Sequence, residues 1–160
     1  MDYRYERKFL IKELEKHQIE SIIKYHKAKF SEIYQLRTIN NIYLDTINMS
    51  NVSDNINGIS NRSKIRIRWY GSTFGLIQNP VLEIKIKKGV LGSKKRYPLK
   101  SFSLDNNFTQ NYLQNIFNES ELLGDINNFL KSLKISLLNC YKRRYFESAD
   151  HKFRITVDTI

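Results

Sequence analysis

Ten residues, Arg62-Ser63-Lys64-Ile65-Arg66-Ile67-Arg68-Trp69-Tyr70-Gly71, constrain this chain more than any other stretch. In an extended strand successive side chains point to opposite faces, so Lys64, Arg66 and Arg68 project one way and Ile65, Ile67 and Trp69 the other. Like charges two residues apart repel. The repulsion is relieved either by water or by something anionic lying along the row.

At 160 residues the chain is long enough for one compact domain with a real core, and residues 1–160 are read as one. Lys and Arg number 27 against 16 Asp and Glu, and the formal charge of +11 favours a polyanionic partner: nucleic acid, an anionic membrane surface or phosphate-rich small molecules. Charge alone does not choose among them. The single cysteine, Cys140, allows no internal disulfide, and no Cys/His spacing matches a zinc site. A reducing, cytoplasmic setting is expected. No signal peptide opens the chain, and no apolar run approaches the roughly 18 residues of a membrane span.

Taken in order, residues 3–12 alternate as a strand, with Glu6 and Lys8 neighbours on one face. Residues 13–29 carry Ile19, Ile22, Ile23, His26 and Phe30 at helical spacing, which predicts a packing helix. A strand is expected over 36–46, then a polar loop with one short helical turn over 48–61. The organising strand fills 62–70. Residues 81–88 alternate again, with Glu83, Lys85 and Lys87 opposing Leu82, Ile84 and Ile86. A turn over 89–93 leads to a short strand over 94–100, whose Pro98 argues for an edge or a strand end. Two amphipathic helices broken near 118–120 fill 108–134, and strands return over 135–147 and 153–159, with His151 in the turn between them.

Seven strands and two helical regions indicate an α+β chain with a largely antiparallel sheet or barrel. The polar faces collect Glu6, Lys8, Arg66, Arg68, Glu83, Lys85, Arg143, Arg154 and Asp158. A solvated outer face accounts for such residues. So does a cupped barrel lined with charge, which is tolerable only when water and a polyanion fill it. Arginine on three strands suits phosphate oxygens, because its planar fork matches them.

At these residues the chain resembles a known family, the VTC (vacuolar transporter chaperone) domain, the polyphosphate polymerase branch of the triphosphate tunnel metalloenzymes (the CYTH-like superfamily). The matching pieces are Tyr5-Glu6-Arg7-Lys8-Phe9, Ile42-Tyr43-Leu44-Asp45-Thr46, the organising strand, Leu82-Glu83-Ile84-Lys85, Tyr141-Lys142-Arg143-Arg144-Tyr145-Phe146 and Arg154-Ile155-Thr156-Val157-Asp158-Thr159. They span nearly the whole chain in family order. The resemblance implies an antiparallel barrel of eight strands with flanking helices, forming a tunnel in which basic residues grip a triphosphate or polyphosphate chain. Lys8, Arg66, Arg68, Lys85, Arg143 and Arg154 would be the phosphate ligands, with Glu6, Glu83, Tyr141 and Asp158 in support. The implied chemistry moves the terminal phosphate of ATP onto polyphosphate with a divalent metal, Mn or Mg, and needs no covalent nucleophile.

One departure from the family pattern shapes the expectation. The family's metal-binding glutamate lies on a later strand, and this sequence stops at Ile160 before it, so seven of the eight barrel strands are expected and the metal ligand is placed beyond the chain. The expectation is therefore binding of polyphosphate with little or no synthesis. A non-catalytic polyphosphate-binding module is the alternative, as is a CYTH-type triphosphatase, although Arg4 stands where that branch opens on alternating glutamates. A nucleic-acid binder ranks last, because alternation puts Trp69 on the apolar face. A membrane-subunit partner is left open.

Overall fold

A computed structural model describes residues 6–89 and 91–160. In chain order its elements are α1 (Lys16–Lys24), β1 (Ser31–Asp45), α2 (Ser50–Ile56), β2 (Asn61–Tyr70), β3 (Gly75–Ile77), β4 (Val81–Lys88), β5 (Leu91–Pro98), β6 (Phe102–Leu104), α3 (Gln110–Glu119), α4 (Gly124–Lys131), β7 (Lys134–Glu147) and β8 (Arg154–Thr159). The class is the expected antiparallel α+β. Six strands form one sheet in the order β5-β4-β2-β1-β7-β8, and β3 pairs with β6 in a second, two-stranded sheet. The chain clusters into two compact units, one made of residues up to Gln35 with Arg144–Thr159, the other of Leu36–Arg143 with Ile160.

The larger unit is built on the alternation of β2 and β4. Ile65, Ile67 and Trp69 turn inward from β2, and Leu82 and Ile84 from β4, to meet Phe102, Leu113, Ile116, Phe117, Leu130 and Leu133. Each such side chain, buried in full, contributes roughly 1.5–3 kcal/mol. Trp69 meets Phe102 edge to face with ring centroids 6.1 Å apart, and its indole N–H donates to the Ser72 carbonyl at 2.9 Å. That satisfies the ring's one polar group inside the core and removes it from any stacking role. The facing layer follows from helical spacing: Leu113, Ile116 and Phe117 lie on one side of α3, which starts where the Thr109 side chain accepts from the Tyr112 amide.

The short helical turn expected within 48–61 is present and runs longer, whereas the pair β3 and β6 was not read from the pattern. The polar stretch after β1 holds a two-turn helix, α2, because Asp45 is buried at its start and accepts backbone N–H bonds from Thr46, Asn51 and Val52 at 2.7, 2.9 and 3.0 Å. One carboxylate thereby satisfies donors that the first turn of a helix leaves unpaired. The pair β3 and β6 spans three residues each, too short for alternation to register. Strand β5 begins at Leu91, earlier than expected, and ends at Pro98 on the edge of the sheet. Gly71 closes β2 at φ +93°, a conformation that a side chain would strain, and its N–H reaches the Thr38 carbonyl at 3.1 Å.

In the smaller unit, Ile23, Phe30 and Phe146 form a core flanked by Ile19, Ala28, Ile155 and Val157. Helix α1 is shorter than the expected 13–29. Glu15 and Gln18 cap its start reciprocally, and it ends at Lys24, after which the His26 ring accepts from the Ala28 amide at 3.1 Å and turns the chain. Ile22, expected in the buried stripe, is exposed. Arg144 ion-pairs with Glu20 at 3.1 Å and Glu32 at 2.9 Å, which ties α1, β1 and β7 together. The strand expected over 3–12 is corrected where it can be seen. Residues 6–12 form no helix or strand and join no ladder among the described residues, and alternation makes a strand only where a partner takes up the backbone groups. Residues 3–5 lie outside the described residues.

Candidate functional site

The site follows from strand register. Tyr43 on β1 lies opposite Arg66 on β2, Arg66 opposite Glu83 on β4, and Glu83 opposite Arg96 on β5. One step to either side, Asn41 opposes Arg68, and Lys64, Lys85 and Lys94 oppose one another in turn. Directly opposed residues share a face of a sheet, as do residues two apart on one strand. The face away from the isoleucine core of the larger unit therefore carries Lys64, Arg66, Arg68, Lys85, Lys94 and Arg96 around Glu83.

Glu83 lies at the floor of this cluster and is 4% exposed. One carboxylate oxygen accepts from Arg66 Nε at 2.8 Å and Nη2 at 2.6 Å, and lies 3.6 Å from Arg68 Nη1. The other takes Lys94 Nζ at 2.6 Å and Arg96 Nε at 3.1 Å. Burial alone would raise the pKa of this carboxyl. The hydrogen bonds from Lys94 and Arg66 and the charges of Arg66 and Arg68 outweigh that effect and hold it at about 2, against an ordinary 4.5. Burial likewise pulls Lys94 downward with Glu83 opposing it, whereas Arg66 is raised because its bonds to Glu83 and Tyr43 exceed the cost of burial. From β4, the carboxylate gathers four cations of the two flanking strands, Arg66 and Arg68 of β2 and Lys94 and Arg96 of β5. Its charge offsets only part of theirs.

Arg68 is held differently. Its Nε donates to Asn41 Oδ1 at 2.9 Å and its Nη2 to the Tyr141 hydroxyl at 3.3 Å, both neutral acceptors. Asn41 is fully buried and donates in turn to Asn139 Oδ1 at 2.9 Å, which links β1, β2 and β7. Arg143, two residues beyond Tyr141, places its guanidinium 5.2 Å from the centre of the Tyr141 ring. Of the residues predicted from sequence, Arg66, Arg68, Lys85, Glu83, Tyr141 and Arg143 thus belong to one face of the larger unit.

The remaining predicted residues belong to the smaller unit. Lys8 lies 3.7 Å from Glu6, both well exposed. Arg154 Nε donates to Glu147 at 2.8 Å, and the other oxygen of that carboxylate meets the His151 ring at 2.8 Å. Glu147 is held below the ordinary carboxylate range by His151 and Arg154. Asp158 is exposed on β8. Among the described residues no group of three or more His, Cys, Asp or Glu side chains could hold a metal ion. Glu83 is unsuited to that task, because both of its oxygens are taken by cations that would repel one more.

Four residues of this face were missed in the sequence. Lys94 and Arg96 repeat the spacing of Arg66 and Arg68, but the facing of an edge strand depends on the hairpin that leads into it. Asn41 and Tyr43 sit in a stretch of β1 buried on both sides, where alternation fades.

A profile described as the VTC domain matches residues 3–160. Among curated proteins, none matches the chain.

Proposed function

We propose, from the premise that the chain belongs to the VTC domain family, that the face formed by β1, β2, β4, β5 and β7 binds a linear chain of phosphates. The family supports a polyphosphate-related role in general. The observation that carries the finer reading is the set of opposed cations, Lys64, Arg66, Arg68, Lys85, Lys94 and Arg96, whose charge Glu83 offsets only in part. A rigid array of guanidinium and ammonium groups on neighbouring strands matches an anion that repeats its charge along its length.

The activity proposed for this face is transfer of the terminal phosphate of ATP onto polyphosphate. In such a transfer the protein mainly positions the reactants and neutralises charge spread over the phosphoryl oxygens, and no side-chain nucleophile is required. Arg66 and Arg68, fixed by Glu83, Asn41 and the two tyrosines, would supply that positioning without reorganising. The described residues offer no fitting site for Mn or Mg, and no step is assigned to a metal here.

Calorimetric titration with tripolyphosphate at low and high salt tests the binding step. Affinity that falls steeply with salt in the native chain, and collapses in Arg66→Ala and Arg68→Ala, is the expected result. Equal losses in Arg62→Ala and Arg66→Ala would show diffuse charge attraction in place of a site. Incubation with ATP and Mn, read as polymer formed, tests the transfer: with no fitting metal site among the described residues, binding with little or no synthesis is expected, and robust synthesis would show that the metal is held elsewhere in the chain.

A further inference from the structure

Arg66 and Arg68, two residues apart on β2, are gripped mainly by acceptors of different kinds. Arg66 gives its Nε and Nη2 to a carboxylate, so part of its charge is already answered within the protein. Arg68 gives its Nε to the amide oxygen of Asn41 and its Nη2 to a phenol, which fix its orientation without carrying charge, and only its Nη1 approaches Glu83, at 3.6 Å against the 2.6 and 2.8 Å of Arg66. A long side chain loses rotamer freedom when it grips an anion, and a guanidinium already aimed loses less. Asn41 is suited to that task by its own setting. It is fully buried opposite Arg68 in the β1–β2 register, and its amide N–H is committed to Asn139 across on β7, so its oxygen can face only one way.

We infer that Asn41 is a positioning residue of the anion-binding face, acting through Arg68: it aims the guanidinium at the bound anion without setting a further negative charge against it. The inference rests on the phosphate-binding reading. It also explains why a polar residue occupies a fully buried position on β1 beside Ile39 and Ile42.

A double-mutant cycle on tripolyphosphate affinity tests it, using the native chain, Asn41→Leu, Arg68→Ala and the double variant. Asn41→Leu keeps the volume and removes no charge, and it is expected to weaken binding about tenfold. Arg68→Ala is expected to weaken the native chain at least as much but to cost less than about threefold in the Asn41→Leu background, because an unaimed Arg68 has little left to lose. A merely structural role for Asn41 gives additive losses, and additivity would overturn the inference. Should Asn41→Leu fail to fold, Asn41→Ala carries the same cycle, since it removes the acceptor for Arg68 with a smaller side chain and adds no charge. Its expected pattern is the same loss and the same non-additivity. A native chain that binds no tripolyphosphate would refute the phosphate-binding reading and this inference together, whereas binding with additive cycles refutes the inference alone.

Discussion

Replacing Glu83 with Gln removes the one charge that the surrounding cations share while preserving the shape of the side chain. In the native protein the Glu83 pKa falls from 4.5 to about 2. At about 1.4 kcal/mol per pH unit, that interval amounts to about 3 kcal/mol of stability at neutral pH. The sign follows from the direction of the change. A depressed folded-state pKa gives stability that is fully present above about 4.5 and is lost as the pH falls through about 2. Urea denaturation of the native chain and of Glu83→Gln, repeated from pH 7 to pH 2, should show a gap of about 3 kcal/mol that stays level down to about pH 5 and then closes toward pH 2. Other carboxylates titrate in the same range, but they do so in both proteins and cancel in the difference. A gap below about 1 kcal/mol at pH 7 would mean that desolvation consumes what the cations supply. A gap that stays constant to pH 2 would mean that the loss comes from packing and not from charge.

Other expectations separate binding from folding. Arg66→Ala should cost on the order of 1.5–3 kcal/mol of tripolyphosphate affinity, and Arg62→Ala far less, since Arg62 already donates to the Ile59 carbonyl at the entrance to β2; titration calorimetry on both checks this. Asp45→Ala strips the amides of Thr46, Asn51 and Val52 of their acceptor and should lower stability by about 1–2 kcal/mol in a urea melt, with tripolyphosphate affinity of the folded protein unchanged. Ile67→Ala, in the fully buried row of β2, should cost about 2–5 kcal/mol of stability by the same measurement.

The parts of this molecule legible in the sequence are those where one physical rule acts alone. Strands β2 and β4 have one wet and one dry face, so parity told which side Arg66, Arg68 and Lys85 occupy, and Trp69 fell where its parity put it. Helices α3 and α4 announced themselves by a change of period. What was not legible depends on contacts distant in sequence. The burial of Glu83 on the polar side arises because Lys94 and Arg96 arrive across a hairpin and close over it. Alternation alone marks it as one more exposed charge. The extent of helix α2 depends on a carboxylate from the preceding strand, and Asn41 matters through Arg68 and Asn139, which follow it by 27 and 98 residues. The segment 6–12 shows the converse: it has the alternation of a strand but joins no sheet among the described residues.

The central claim is that a phosphate chain lies along the polar face of β2 and β4. A crystal structure of the protein with tripolyphosphate tests it most directly. Phosphate oxygens at about 2.7–3.2 Å from Arg66, Arg68 and Lys85, with Asn41 still bonded to Arg68, is the predicted result. Tripolyphosphate bound instead to scattered surface lysines such as Lys27 or Lys29, with the β2 and β4 face carrying none, would contradict it.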